Sequence, residues 1–423
     1  MDGSVVEPGR GVAGDSVLPP DQIADPGQGH GPDWLDATLA ARLPELVRIR
    51  RTVHAHPELS RAESATTALI LRTLAAADIR GELLSTGTGV VAEIGSGPRA
   101  VGLRADIDAL PLPEHSGLPF ASTVPRVAHA CGHDVHLTVL LGTALALAAS
   151  PDLPGRIRLV FQPAEEIMPG GSHNVVASGA LDGLERIFAL HCDPRLAVGQ
   201  VGLKSGPITS TSDLVEVSVS GPGGHTARPH LTADIVYALG TVITGLGALL
   251  GRRMDPRWVP VMTWGAVHAG EAANTIPQTG SLRGTLRMMD REGWDAAHVL
   301  VPELIAELVA PTGVTVAVNY RRGVPPVVND PVSAELLRTA ALAAVGPAGL
   351  AAAQQSTGAE DFAIMLEHLP GALARLGVWD GRAPQVDLHS AAFRADERAI
   401  PVGVRLMVHA ALAALAPVPP PLG

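Results

Sequence analysis

Apolar positions along the chain switch between two spacings. From Leu35 to His54 they recur at helical intervals, with Leu39, Leu43, Leu46, Val47 and Ile49 marking one side. His56-Pro57-Glu58-Leu59 breaks that pattern. Ser60 followed by Glu63 then reads as a capping box, opening a second helix that runs to about Ala77. Short apolar runs at Gly89–Ile94, Ala100–Arg104, Arg156–Phe161 and Arg186–Leu190 read as strands. Val135–Ala149 is apolar on nearly every side, which predicts a buried helix. Strand and helix alternate as far as Gly202, the pattern of a mostly parallel sheet covered by helices.

Near Ser205 the texture changes. Asp213–Ser220 alternates polar and apolar strictly, as a strand does in a sheet with one wet face. A Gly-rich loop ending at His225 follows, then a helix from about Leu231 to Leu250. Strands at Val259–Val267 and Gly280–Met288, a helix at Gly293–Val309 and a strand at Val314–Tyr320 complete a β-α-β-β-α-β order. That order predicts an inserted α+β, ferredoxin-like domain over residues 206–320. Helices at Val332–Val345, from Gly358-Ala359-Glu360-Asp361-Phe362, and ending at Ala410–Leu415 return the chain to the first domain. The expected organisation is therefore an α/β domain over 33–205 and 321–416, interrupted by 206–320. A Gly-, Pro- and Asp-rich leader over 1–32 reads as disordered, and 417–423 as a Pro-rich tail.

Composition narrows the partners. The chain has 423 residues, enough for an ample core, and is 46% hydrophobic and 17% charged. Its net charge of −11 argues against nucleic acid. No basic start with an apolar core marks a signal peptide, and the strongest membrane-span candidate, Val135–Ser150, is short. Two cysteines make no disulfide framework, so a reduced, cytoplasmic setting is expected.

Both cysteines fall among candidate ligands. Ala128-His129-Ala130-Cys131-Gly132-His133-Asp134 places a thiol and an imidazole on a tight bend, the donor types zinc and its neighbours prefer. Glu165-Glu166, His191-Cys192 and His389 each follow or interrupt an apolar run, and sites in open α/β sheets gather at strand ends. Arg104-Ala105-Asp106-Ile107-Asp108 is an acidic turn at another strand end. Asp106 and Asp108 fit ordinary turn chemistry equally with carboxylates that orient a ligating imidazole.

Nine motifs carry a resemblance to a known family. They are His56-Pro57-Glu58-Leu59, Arg104–Pro111, His129–Asp134, Pro163–Glu166, Gly223–His230, Asn274-Thr275-Ile276-Pro277, Gly284-Thr285-Leu286-Arg287, Gly358–Phe362 and Leu388-His389-Ser390. In number and order they resemble the M20 metallopeptidases. Within these they resemble the amidohydrolase branch of hippurate hydrolases, N-acyl-amino-acid amidohydrolases and plant auxin-conjugate hydrolases. The resemblance covers about 45–415. Val135 stands where the family usually has Gly, Cys192 where it has an aliphatic residue, and Ala359 where serine is common.

The resemblance implies a zinc-peptidase-like catalytic domain with two divalent cations (Zn, Mn, Co or Ni) held by Cys131, His133, Glu166, His191 and His389. It implies Glu165 as general base. It also implies that the inserted domain is a lid that makes a homodimer, with His225 reaching the partner subunit's site. Asn274 and Arg287 match residues that hold the substrate's carbonyl or carboxylate, and Gly358 opens a motif at the substrate site. The implied reaction is hydrolysis of the amide bond of an N-acyl amino acid, or of a dipeptide or other amide conjugate. Two readings from other classes stand beside it: a thiol hydrolase with Cys131 as nucleophile, and a binding protein without chemistry.

Overall fold

The computed structural model describes residues 31–416, so the expected tail and nearly all of the expected leader lie outside the described residues. The first helix spans Asp33–Ala55 and buries Leu35, Leu39, Leu43, Leu46, Val47 and Val53, the side its periodicity marked. The second starts later than its apparent capping box. Ser60 donates instead to Asp108 Oδ2 (2.6 Å), and Glu63 accepts from the N–H groups of Arg61 and Ala164 (2.9 and 2.8 Å). The helix is Ser64–Ala75, and Glu58 accepts from its N–H groups at Ala65 and Thr66 (3.0 and 2.8 Å). A carboxylate one turn further back thus does the capping.

An eight-stranded sheet forms the larger layer. Its order is Gly81–Leu83, Val90–Gly95, Arg156–Gln162, Ala100–Asp106, Arg186–Ala197, Gly371–Trp379, Val201–Leu203 and Leu350–Ala352. The four strands from Arg156–Gln162 to Gly371–Trp379 run parallel, and antiparallel pairings flank them. Helices cover both faces. Phe188, Leu190 and Cys192 pack with helices Asp33–Ala55, His133–Ala148 and Ala399–Leu415, while Ile187 and Ala189 face Phe362 and Met365. A strand buried on both sides has no polar alternation, which explains the continuous apolar runs. Gly371–Trp379 is such a strand and was not foreseen from the sequence.

A four-stranded antiparallel sheet forms a second layer, in the order Val261–Ala269, Thr279–Arg287, Ser212–Ser220, Thr315–Val324. Val215, Val217, Val219, Leu282 and Leu286 bury one face against helices Ile235–Arg253 and Arg291–Val309 in a core of their own. The other face carries Glu216, Arg283, Asn319 and Arg321, which pair with one another. The chain is therefore α/β, with a mostly parallel sheet and a separate α+β layer. One reading from the sequence needs correction. Ile235–Arg253 has 19 residues and is long and apolar enough to cross a membrane, which Val135–Ser150 is not. It buries Ile235, Ala238, Leu239, Val242, Leu246 and Leu250 within its own layer, as an amphipathic helix does.

A buried ionic network ties the first helix to the start of His133–Ala148. Arg50 Nε donates to Asp134 Oδ2 (2.7 Å), and His54 lies between Asp134 (2.8 Å) and Glu114 (3.0 Å). Burial lowers the affinity of His54 for a proton, but Asp134 and Glu114 outweigh it and hold the imidazole above its ordinary value. Burial raises Glu114, yet His54, the Ser116 hydroxyl and the Ser122 N–H bring it from 4.5 down to about 2. A carboxylate depressed in the folded state contributes stability above its ordinary value and loses it as pH falls through the folded one. The parent should therefore lose more stability than Glu114→Gln between about pH 6 and about pH 3. Urea unfolding at both pH values measures this; equal losses would remove Glu114 from the account.

Candidate metal centre

Strand ends deliver the candidate residues to one place. Ala100–Asp106 stops at Asp106, and Arg156–Gln162 runs into Pro163–Glu166. An isolated bridge between Leu110 and Ala128 lays the Cys131 segment beside the Asp108 turn. His389 joins from the turn after Gly371–Trp379, its N–H donating to Ala130 O (2.8 Å). His191 sits within a strand, because Arg186–Ala197 continues well past Leu190.

The donor atoms of Cys131, His133 and His191 lie within 4.8 Å of one another, as do those of Cys131, Glu166 and His389, and of His133, Glu165 and Glu166. Cys131 Sγ is 3.5 Å from His191 Nε2. Glu166 Oε1 is 3.7 Å from His133 Nε2 and 3.4 Å from His389 Nε2. The imidazoles are oriented from behind. His133 Nδ1 donates to Asp108 O (2.9 Å) and His191 Nδ1 to Cys192 O (2.8 Å), leaving each Nε2 with its lone pair toward the cluster. Asp108 Oδ2 also accepts from the Glu166 N–H (3.0 Å). His136 accepts from the Cys192 N–H (2.8 Å) and donates to Asp106 Oδ1 (2.5 Å), which makes it a strut between strand ends.

Most groups of the cluster are pushed toward holding a proton, while burial, His136 and Arg375 push His191 the other way. Burial pushes the Cys131 thiol well up, and Glu166, Glu165 and Asp106 push it further. Burial, then Glu360, Glu166, Asp361 and Asp106, raise Glu165 well above the carboxylate range. Burial works against a charged His133, yet Asp106, Asp108 and Glu166 hold it up to about 10. Burial and crowded anions act together on Cys131 and Glu165, and the anions alone hold up His133, so the space favours positive charge. Buried His133 Nε2 and Glu166 Oε1 also lack hydrogen-bond partners, and both aim into this space. Thiolate, imidazole and carboxylate donors converging on unfilled polar atoms fit a pair of divalent cations.

Behind the cluster, buried Arg104 donates to Gln162 (2.8 Å), Asp106 (2.8 Å) and Asp361 (3.0 Å) and pairs with Glu360 (3.0 Å). Asp361 in turn presents its N–H to Glu165 Oε1 (3.3 Å). Glu165 and Glu166 thus have different partners, the Asp361 N–H for one and His133 and His389 for the other, although an oxygen of each lies within 4.8 Å of the other.

Residues 102–413 match the model of peptidase family M20/M25/M40. The chain belongs to this M20 family. It is 39% identical over 364 residues to an N-acetyl-L-cysteine deacetylase of Bacillus subtilis, covering 84% of this chain and 85% of that one. A Rhodococcus jostii protein named as a glutamate–cysteine ligase is 51% identical over 365 residues, 86% of this chain, but this chain spans only 46% of its length. A crystal structure of a dinuclear metal-binding M20 peptidase from Bacillus subtilis superposes with a TM-score of 0.76 at 33% identity, covering 88% and 97% of the two chains. This M20 chain is a hydrolase of a metal-binding family.

The M20 motifs outside the cluster fall in two groups. Arg287 Nη1 donates to Thr357 O (3.0 Å), which places it beside Gly358, whose carbonyl accepts from Ser210 N–H (3.0 Å). His225 and Asn274 meet on a small ladder, where Thr226 N–H donates to Asn274 O (3.2 Å). Among the described residues, no hydrogen bond or ion pair joins His225 or Asn274 to the cluster. Arg283 pairs with Glu216 (3.3 Å) and not with the Thr357 loop. Sequence reasoning gave no role to Arg104, Glu360 or Asp361, and took Glu63 for part of a helix cap. The first three stand inside quoted motifs, and only their convergence from distant segments reveals the array.

Gly132 is the hinge of the Cys-x-His bend. Its φ is +89°, and a Cβ there would lie 2.7 Å from Cys192 Sγ. The Val135 that replaces the usual glycine sits in the first turn of helix His133–Ala148, with helical backbone and its side chain in the core. Gly132→Ala should therefore cost about 1–3 kcal/mol from backbone strain alone and lower metal retention, while Val135→Gly should leave metal retention unchanged. Metal content after dialysis, with thermal melting alongside, checks both; a Gly132→Ala variant that keeps parental metal and stability would refute the hinge.

Proposed function

We propose that the protein hydrolyses N-acyl amino acids, R–CO–NH–CH(R′)–COO⁻, at a centre of two divalent cations held by Cys131, His133, Glu166, His191 and His389. The observation that carries this reading is the difference in partners between the adjacent glutamates. Glu166 Oε1 faces His133 and His389, while Glu165 accepts from Asp361 N–H in surroundings that raise its proton affinity. A carboxylate held above its ordinary range suits a general base. The bound cations would supply a polarised carbonyl and a water of lowered pKa. Glu165 takes the proton of the attacking water and passes it to the leaving nitrogen as the C–N bond breaks. Asp106 and Asp108 keep the imidazoles of His136 and His133 in place throughout. Arg287, beside Gly358, offers its remaining N–H groups to the substrate carboxylate.

The names of relatives support this substrate class, with deacetylases of N-acetylcysteine and, at 33% identity, an Arabidopsis IAA-amino acid hydrolase among them. The Cys131–His191 contact would suit a thiol hydrolase. The charge does not: the anions around Cys131 raise its proton affinity, and an activated nucleophile needs it lowered. We take both free cysteines as fitting a reducing, cytoplasmic setting.

The lid reading requires a second copy, because His225 and Asn274 stand apart from the cluster of their own chain. Helix Ile235–Arg253 exposes Val236 (54%) and Tyr237 (64%), and edge strand Val261–Ala269 exposes Val261 and Val267. These surfaces support pairing through the 206–320 layer, with His225 donating to the oxyanion in the partner's site. Tyr237→Glu should convert a dimer to a monomer in analytical ultracentrifugation and depress turnover; a monomeric parent with full activity sinks this part.

Two measurements test the chemistry. Glu165→Gln should keep its metal and lose about 10²- to 10⁴-fold in kcat on N-acetyl, N-benzoyl and indoleacetyl amino acids. Dialysis against a chelator should abolish parental turnover, and Zn, Mn, Co or Ni added singly should identify the working ion. Full activity in the chelated enzyme would refute the metal reading.

A further inference from the structure

Glu63 carries no chemical role in the proposed reaction, yet its side chain is fully buried. Its Oε1 accepts two backbone N–H groups, from Arg61 (2.9 Å) and from Ala164 (2.8 Å). Both donors are non-glycine residues in the left-handed region, with φ of +67° and +57°. That conformation crowds Cβ and persists only where surroundings enforce it. Ala164 stands immediately before Glu165 and Glu166. Its left-handed turn follows the end of strand Arg156–Gln162 and directs both glutamates back over the strand end.

The rest of the same short turn grips the glutamate loop at other points. Ser60 donates to Asp108 Oδ2 (2.6 Å), the oxygen that also receives the Glu166 N–H (3.0 Å). Arg61 Nη2 donates to Pro169 O (3.0 Å), at the far end of the loop. Glu58 fastens the turn to helix Ser64–Ala75 through the Ala65 and Thr66 N–H groups (3.0 and 2.8 Å). The loop therefore rests on a rigid helix start, and its strained residue is held at its N–H by Glu63 and at its carbonyl by the Gly171 N–H (2.8 Å).

We infer that Glu63 is a positioning residue for the metal centre: its carboxylate holds Ala164 left-handed, and so fixes the directions in which Glu165 and Glu166 point. This rests on the proposed roles of those two glutamates. The requirement is for an acceptor oxygen at the right reach. Glutamine supplies one, aspartate falls short by one methylene, and leucine has none. Glycine at 164 adopts the left-handed conformation without help.

The test compares Glu63→Gln, Glu63→Asp, Glu63→Leu and the double variant Glu63→Leu/Ala164→Gly, reading metal retained per chain after dialysis and kcat and KM separately. Glu63→Asp and Glu63→Leu should lose metal and about 10²-fold in kcat, the scale of a 1 Å misplacement, with KM little changed. Glu63→Gln should stay close to the parent, and Ala164→Gly should restore most of what Glu63→Leu loses. Should Glu63→Leu not fold, Glu63→Asp alone and combined with Ala164→Gly carries the same comparison. Parental metal and kcat in Glu63→Asp, failure of Glu63→Gln, or no rescue by Ala164→Gly would each overturn the inference. If the parent cleaves no N-acyl amino acid, the proposed reaction falls, and metal retention across the series still decides the role of Glu63.

Discussion

Carboxylates taken out of water need positive charge within a few ångströms, and this constraint organises the molecule. Asp106, Asp108, Glu165 and Glu166 at strand ends gather with Glu360 and Asp361, and Arg104 is a buried cation among them. The guanidinium answers the rear of the cluster. Its planar fork spans Gln162, Asp106 and Asp361 at once, which a lysine could not do. At the front, the thiol of Cys131 and the lone pairs of the histidines add donors without adding positive charge. Burial, reinforced by the neighbouring anions, raises the proton affinities of Glu165 and Cys131, and the anions raise that of His133 against its burial.

The same constraint explains why the surrounding backbone is strained where it is. Gly132, Ala164 and His389 all have positive φ, and each lies at or next to a donor of the cluster. Donors arriving from separate strands must turn back toward a common point within one or two residues, and the left-handed region makes the shortest such turn. Fixing those turns falls to hydrogen bonds from neighbouring segments. Ala130 O receives the His389 N–H, and Glu63 receives that of Ala164.

The second layer shows a different economy. Its core closes on its own helices, and its wet sheet face is paired by Glu216 with Arg283 and Arg321. Its connection to the cluster runs through the loop at Thr357, where Arg287 and Ser210 both donate to the carbonyl and from which Asp361 reaches Glu165.

Periodicity in the sequence determined the elements: the amphipathic helix at Asp33–Ala55, the alternating strand at Ser212–Ser220 and the continuous strands at Arg156–Gln162 and Arg186–Ala197 each bury the residues their spacing marks. Motif order also singled out Cys131, His133, Glu166, His191 and His389, because donor type is written in residue identity. The sequence misled at Ser60 and Glu63, where a local capping pattern was overridden by partners about 50 and 100 residues away. It was silent on Gly371–Trp379, whose small residues give no period, and on Arg104, whose partners Glu360 and Asp361 lie in one loop about 250 residues away. Residue types and spacing are local properties, so the chain alone could specify helices, strands and donors. Which oxygen meets which N–H across a hundred residues depends on strand order and burial, and only the folded structure decides it.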